Sequence, residues 1–175
     1  FTDNFNRANG TPLDDSIYWA RSGGFSGLAD ILSNNLRTTG TVSGDRGVYR
    51  SPDTGSNNHY AQGTNLNNFN GCYLGLAITD EDNWIAVRQS SSSVVTVSKR
   101  VAGTTSTVTT FSNSYSSGQV LRAELSGGTV TVKVNGSSIG SIAVSSPPPA
   151  TSRAGLVIVG IGQSSVYGDF ESGAL

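Results

Sequence analysis

Three side chains are placed to do chemistry together: Tyr73, Trp84 and Arg88. They belong to two alternating runs, residues 71–79 and 84–90, joined by the acidic turn Asp80-Glu81-Asp82-Asn83. Side chains on a strand point to opposite faces with period two, so pairing Thr79 with Trp84 sorts them. Leu74, Leu76, Ile78, Ile85 and Val87 then share a core face, and Tyr73, Gly75, Ala77, Trp84, Ala86 and Arg88 share the other. Two aromatic rings and a guanidinium around three small residues describe a shallow groove. Sugars bind such surfaces by laying C–H faces on rings and offering hydroxyls to Arg, Asn or Asp. The same pattern also fits an outer sheet face covered by a loop, with Arg88 solvated. Both readings are open on the residues alone.

Glycoside cleavage sets a sharper demand. It needs two carboxyls ~5 Å apart, or ~6.5–9.5 Å apart with a water between them. Only Glu81, Glu124 and Glu171 are available as glutamates, and the aspartates sit mostly in turns. No catalytic residue is assigned. The single histidine, His59, adjoins Tyr60 without a second His or Cys at ligand spacing, and reads as a surface strand residue. Calcium favours oxygen-rich loops. Asp80 and Asp82 offer one, Asp14-Asp15 another, and Asp3 and Asp169 would converge if the terminal strands pair. Short Asp/Asn turns often bond their own backbone instead. No cofactor is required, and a structural calcium stays open. Asn135-Gly136-Ser137 fits a glycosylation acceptor but is already explained as a turn, and Cys72 alternates with Leu74 and Leu76 as inert packing.

These residues need a scaffold, and residues 119–144 specify its centre. The run QVLRAELS-GG-TVTVKV-NG-SSIGSIAV reads as three antiparallel strands with turns at Gly127-Gly128 and Asn135-Gly136. Centring the first turn sets Leu125 opposite Val130, Ala123 opposite Val132 and Leu121 opposite Val134, a single dry face. The second turn puts Val132 opposite Ile139, after which the alternation slips by one at a bulge at Gly140. On the wet face Arg122 lies opposite Lys133, and Glu124 is placed to relieve the pair. A meander cannot bury one apolar face alone, so a second sheet must cover it.

The rest of the chain supplies that sheet. Strands are expected over residues 1–7, 29–37, 47–51, 58–64, 71–79, 84–90, 94–102, 105–111, 154–161 and 166–171, and no window of ten or more keeps a helical period. Some twelve to fourteen strands at this spacing describe an all-β, two-sheet antiparallel sandwich, and residues 1–175 read as a single domain. Charged residues make up only 13% and the net charge is −1, which gives no basic footprint for nucleic acid and no polybasic membrane patch. No apolar run is long enough to span a membrane, and one cysteine excludes an internal disulfide. The chain opens at Phe1 without Met, as an excised or processed domain would.

The opening Asp3-Asn4-Phe5-Asn6-Arg7-Ala8-Asn9-Gly10, with Pro12-Leu13 and Trp19, resembles the start of laminin-G-like jelly rolls of the concanavalin A-like group. Val166-Tyr167-Gly168-Asp169-Phe170 is similar to their closing strand, and Val134-Asn135-Gly136 to their late hairpin. Asp14-Asp15-Ser16 departs from the glycine-containing turn expected there. The resemblance implies two curved sheets packed face to face, with first and last strands adjacent. Such domains occur in bacterial secreted proteins and in phage tail or fibre proteins, which implies an extracellular or virion setting. The Glu-x-Asp-x-x-Glu pattern of jelly-roll glycanases is absent. Arg122-Ala123-Glu124-Leu125 resembles one element of jelly-roll alginate lyases, but their Gln-Ile-His has no counterpart. The expected function is a non-catalytic module for a glycan or cell-surface polysaccharide, with Trp84, Tyr73 and Arg88 as its site. A structural or decoration domain, partnered by virion or extracellular assembly proteins, is the alternative. A polysaccharide hydrolase or lyase comes third.

Overall fold

A computed structural model of the chain describes residues 1–6, 8–10, 19–22, 29–38, 46–66, 71–159 and 165–175. In chain order the strands are β1 (Thr2–Asp3), β2 (Ala20–Ser22), β3 (Ala29–Leu32), β4 (Asn35–Thr38), β5 (Arg46–Arg50), β6 (His59–Asn65), β7 (Cys72–Asp80) and β8 (Asn83–Ser91). They continue as β9 (Val94–Val101), β10 (Thr104–Ser112), β11 (Gln119–Ser126), β12 (Thr129–Val134), β13 (Ser137–Ala143), β14 (Gly155–Val159) and β15 (Ser165–Ala174). There is no helix among the described residues. Among the described residues, one sheet has eight strands, ordered β13-β12-β11-β6-β15-β4-β3 with β1 also beside β15. The other has seven, ordered β10-β9-β8-β7-β14-β5-β2. Every strand pair among the described residues is antiparallel, and the core draws on both sheets, so the expected all-β two-sheet sandwich is what forms. Residues 29–37, expected as one strand, instead make the β3–β4 hairpin. Ser33 and Asn34 both take left-handed φ (52° and 59°), the geometry that a two-residue turn of matching twist requires.

The meander forms in the expected register. Leu121 pairs with Val134, Ala123 with Val132 and Leu125 with Val130, and all six are buried. One detail differs: Val132 faces Gly140 and the extra residue is Ile139, one position before the expected bulge. Gly140 has a separate reason to be glycine. The Phe111 ring of β10 lies on its backbone, where an added Cβ would fall 2.2 Å from a ring carbon, and this contact seals one edge of the sandwich.

The termini close the other side. Thr2 pairs with Glu171 and Asp3 with Phe170, as the resemblance implied. The chain then turns sharply, and Phe5 enters the core with φ of 53°. Left-handed backbone costs a non-glycine residue ~1–2 kcal/mol, whereas burying a phenylalanine side chain contributes roughly 1.5–3 kcal/mol. Burial wins. Asp3 shapes the turn: its Oδ1 accepts the Phe5 N–H (2.8 Å) and its Oδ2 the Trp19 indole N–H (2.6 Å). Trp19 packs edge-on against Phe170 at 5.0 Å and Phe1 at 5.6 Å.

One departure from regular alternation reorganises the second sheet. On β7–β8, Leu76 pairs with Ile85 and Asp80 with Asn83, so Ala77, Ile78 and Thr79 stand against Trp84 alone. The bulge turns at Ala77, whose φ is 48°. His59 of β6 fastens it from the opposite sheet: the Ala77 N–H donates to His59 Nε2 (3.2 Å), and His59 Nδ1 lies 3.1 Å from the Ser56 carbonyl. His59, expected on the surface, is fully buried. Burial lowers its pKa against the raising effect of its backbone contacts, and the neutral tautomer with Nδ1–H toward Ser56 satisfies both ring nitrogens.

Candidate functional site

The bulge corrects the expected site at Tyr73, Trp84 and Arg88. Thr79 does not pair with Trp84, and the left-handed backbone at Ala77 breaks the alternation, which leaves Ala77 in the core with Leu76 and moves Ile78 to the outer face. There Ile78 packs with Trp84, Ala86 and Val157. An added Cβ on Gly75 would lie 2.7 Å from Ile78 Cδ1 and 3.1 Å from Val157 Cγ2. The small residues that suggested room for a ligand are therefore filled by the protein itself. Trp84 is 1% exposed, and its indole N–H donates to the Glu81 carbonyl at 3.0 Å. It presents no open ring face. Tyr73 and Arg88 are half-buried, with the Arg88 guanidinium 4.7 Å above the Tyr73 ring.

The calcium candidates also have other work. Asp80 Oδ1 accepts the Asp82 N–H (2.8 Å) and an Asn83 amide hydrogen (2.9 Å), closing the β7–β8 turn on itself. Asp82 Oδ1 takes the Arg100 guanidinium at 2.7 and 3.1 Å. Asp3 and Asp169 do share one cleft, but Asp3 holds the Phe5 turn and Asp169 accepts from Thr64 Oγ1 at 3.3 Å. Asp14-Asp15 lies outside the described residues. Among the described residues no three His, Cys, Asp or Glu side chains are grouped to hold a metal.

The cleft that Asp3 and Asp169 share lies on the eight-stranded sheet and encloses about 630 Å³. Four stretches build it, one of them β11 through Val120. The β1 segment contributes Asp3, Asn4 and Asn6; β6 contributes Gln62 and Thr64; β15 contributes Asp169 and Glu171. Period two explains the last four. On β6, His59, Ala61 and Asn65 are buried, which leaves Tyr60, Gln62 and Thr64 facing out. On β15, Phe170 and Ser172 are buried, which leaves Asp169 and Glu171 facing out.

The floor is held by a continuous polar network. Glu171 Oε1 accepts from the Tyr60 hydroxyl, and Glu171 Oε2 from Gln62 Nε2 (2.9 Å). Gln62 Oε1 accepts from Arg122 Nη1 (3.1 Å), which fixes the direction of the amide. Arg122 lies over the Tyr60 ring at 3.5 Å and donates through Nε to Glu124 (2.7 Å), which also takes Lys133 Nζ (2.9 Å). The predicted Arg122–Lys133 opposition is present, and Glu124 relieves it. Burial pushes the Glu124 carboxyl up, but the hydrogen bonds from Lys133 and Arg122 outweigh it and hold the carboxyl below its usual range. Burial, then the hydrogen bond and charge of Glu171, raise the Tyr60 phenol, which keeps it a donor. Gln62 and Glu171 thus meet a ligand already oriented. Sequence reasoning missed both. The i, i+2 spacing of Asp169 and Glu171 was a signal for the second, and nothing local marks the first.

No protein-family model matches the chain, and no curated protein matches it. Solved structures do. A carbohydrate-binding module, CBM66 from Bacillus subtilis, is similar at a TM-score of 0.61 and 13% identity, over 89% of this chain and 92% of that one. The β-glucanase of Bacillus licheniformis is similar at a TM-score of 0.61 and 13% identity, over 100% and 98%. The exoplasmic/lumenal domain of VIP36, in a Ca2+/Man3GlcNAc-bound form, reaches 0.60 at 11% identity, over 91% and 87%. At these identities the likeness is one of fold, and with two packed antiparallel sheets and paired terminal strands the chain is a concanavalin A-like jelly-roll sandwich.

Proposed function

We propose that the domain binds a carbohydrate in the cleft on the eight-stranded sheet and does not cleave it. The observation that carries this reading is the cleft lining. Carboxylates, amides and a threonine hydroxyl line one concavity, and two of the groups, Gln62 and Glu171, are locked by hydrogen bonds. Sugars present many hydroxyls and need acceptors and donors at fixed positions. A volume of about 630 Å³ falls within the ordinary range for small-molecule sites, ~300–1,000 Å³. Structural likeness to a carbohydrate-binding module and to a mannose-bound domain supports the same reading at the level of fold.

Hydrolysis is the second reading. Asp169 and Glu171 face one cleft from alternate positions of β15, and β-glucanases share the fold. Against it, the Glu-x-Asp-x-x-Glu pattern of jelly-roll glycanases is absent, and Asp169 and Glu171 are tied instead to Thr64, Tyr60 and Gln62. Release of reducing ends from mixed polysaccharides would favour hydrolysis.

A glycan array followed by calorimetry tests binding. Asp169→Ala and Gln62→Ala should each weaken a glycan hit by roughly tenfold, about 1.4 kcal/mol, the scale of one hydrogen bond involving a charged group. Unchanged affinity in both folded variants removes the cleft from consideration. A blank array favours the structural or decoration reading. Either role suits the extracellular or virion setting that the resemblance implies.

A further inference from the structure

The bulge on β7 gathers a second group of polar side chains, on the seven-stranded sheet. Residues 77–79 leave the β7–β8 ladder, so their backbone groups bond elsewhere. The Ile78 N–H donates to the Arg153 carbonyl (3.0 Å), the Ile78 carbonyl accepts from Thr151 Oγ1 (3.3 Å), and the Thr79 carbonyl accepts from Arg50 Nη1 (3.4 Å). Two arginines therefore meet at adjacent residues of the bulge. Arg50, the last residue of β5, is poorly held there. A separation of 3.4 Å is long for an N–H···O bond, and the Arg50 Nε–H is buried without a partner. Arg153 is exposed, and its main chain makes the bonds that fix it, to Ile78 and to Thr151 Oγ1. Burial first, and then the charge of Arg153, lower the Arg50 pKa.

We propose that Arg50 and Arg153 together bind an oxyanion, a phosphate or sulfate group, at this end of the seven-stranded sheet. The site is separate from the cleft and does not depend on the carbohydrate reading. A guanidinium presents its N–H donors in a planar fork that matches two oxygens of such a group, and these charge-assisted bonds are short and strong. A tetrahedral anion offers oxygens to both forks at once. Turning Arg50 toward it exchanges one long bond for short ones, gives the Nε–H an acceptor, and places negative charge between two like charges. Asp80 acts through space on Arg50, and Asp53 on Arg153. Each also serves its own turn: Asp80 accepts from the Asp82 N–H and the Asn83 amide, and Asp53 from the Gly55 N–H. These carboxylates offset part of the local charge, so fork geometry rather than net charge has to select the ligand. Chloride, a single sphere, does not satisfy two forks.

The test titrates sodium sulfate and sodium phosphate into isotope-labelled protein, with ionic strength held constant by sodium chloride, and follows the Arg50 Nε–H resonance by NMR. Either oxyanion should move that resonance along a saturable curve, and chloride alone should not. Arg153→Gln, at an exposed position, should keep the parent's unfolding midpoint and bind at least about tenfold more weakly, the scale of one hydrogen bond to a charged group. Sulfate and phosphate esters of glucose then separate the sources. An ester that binds more tightly than its free ion supports the site as one for a sugar-borne group, and one that binds no more tightly supports it as a site for the free ion. A shift that never saturates, an equal response to chloride, or an Arg153→Gln protein that binds as tightly as the parent overturns the proposal and leaves the cleft untouched.

Discussion

The contact between His59 and Ala77 predicts an acid-sensitive fold, and the size of the effect can be worked out. Neutral His59 accepts the buried Ala77 N–H through Nε2, and a protonated ring has no acceptor there. Burial lowers the folded-state pKa below the ordinary value of about 6.5. The sign follows from proton counts. Above pH ~6.5 both states are neutral and the contribution is whole. Below it the unfolded chain takes up a proton that the folded chain refuses, so stability falls with pH until the depressed folded pKa is reached. The limiting slope is about 1.4 kcal/mol per pH unit, so from pH ~7.5 to ~5.5 the loss from this one group is at most about 1.4 kcal/mol. The charges that act on the ring are few. Asp53 opposes the shift through space, and the Ser56 and Asn57 backbone contacts oppose it locally. Glu124, whose pKa is also held low, loses its contribution only as pH falls below the carboxylate range near 4.3, outside this window. Urea unfolding at several pH values, in the parent and in His59→Gln, is the measurement. The parent should lose stability across the window, and the variant should lose less. At pH ~7.5 the variant should be weaker by about 1–3 kcal/mol, the cost of leaving a buried N–H poorly paired. Parallel pH profiles for the two proteins would refute the assignment of His59 as the buried clasp.

Two further substitutions probe the faces of the sheets. Val132→Ala removes methyls at full burial between Ala123 and Gly140, and should lower stability by on the order of 1–3 kcal/mol in denaturant unfolding. A midpoint equal to the parent's would place Val132 on the wet face. Trp84→Ala should behave as a core truncation of roughly 3–5 kcal/mol rather than as a binding mutation, because the ring is covered by Ile78 and Val157. A stable Trp84→Ala protein that has lost only glycan affinity would restore the Tyr73/Trp84/Arg88 site.

What could be read from the sequence divides along a physical line. The meander was legible because each strand alternates cleanly and its turns are glycine or Asn-Gly pairs, so register follows from local rules. The bulge at Ala77 was not. It puts positive φ on an alanine with no glycine to mark it, and its clasp is a histidine from the other sheet, 18 residues away. Nor does β6 declare its phase: one face carries His59, Ala61, Gly63 and Asn65, the other Tyr60, Gln62 and Thr64, and neither is plainly apolar. A phase error there hides both the clasp and the cleft floor.

The cleft depends on contacts of still longer range. Asp3 meets the outward side chains of β15 only because the first and last strands pair, although Asp3 and Asp169 are 166 positions apart in the chain. That pairing was foreseeable, and with it the shared position of Asp3 and Asp169. What it meant was not. Reading two converging aspartates as metal ligands treats them as free acceptors, whereas Asp3 spends its oxygens on the turn that sends Phe5 into the core. One carboxylate therefore both closes the fold and charges the cleft rim. Removing it would unseat Phe5 and Trp19 together, so Asp169, which carries no such structural duty toward the core, is the position at which the cleft's charge can be changed alone.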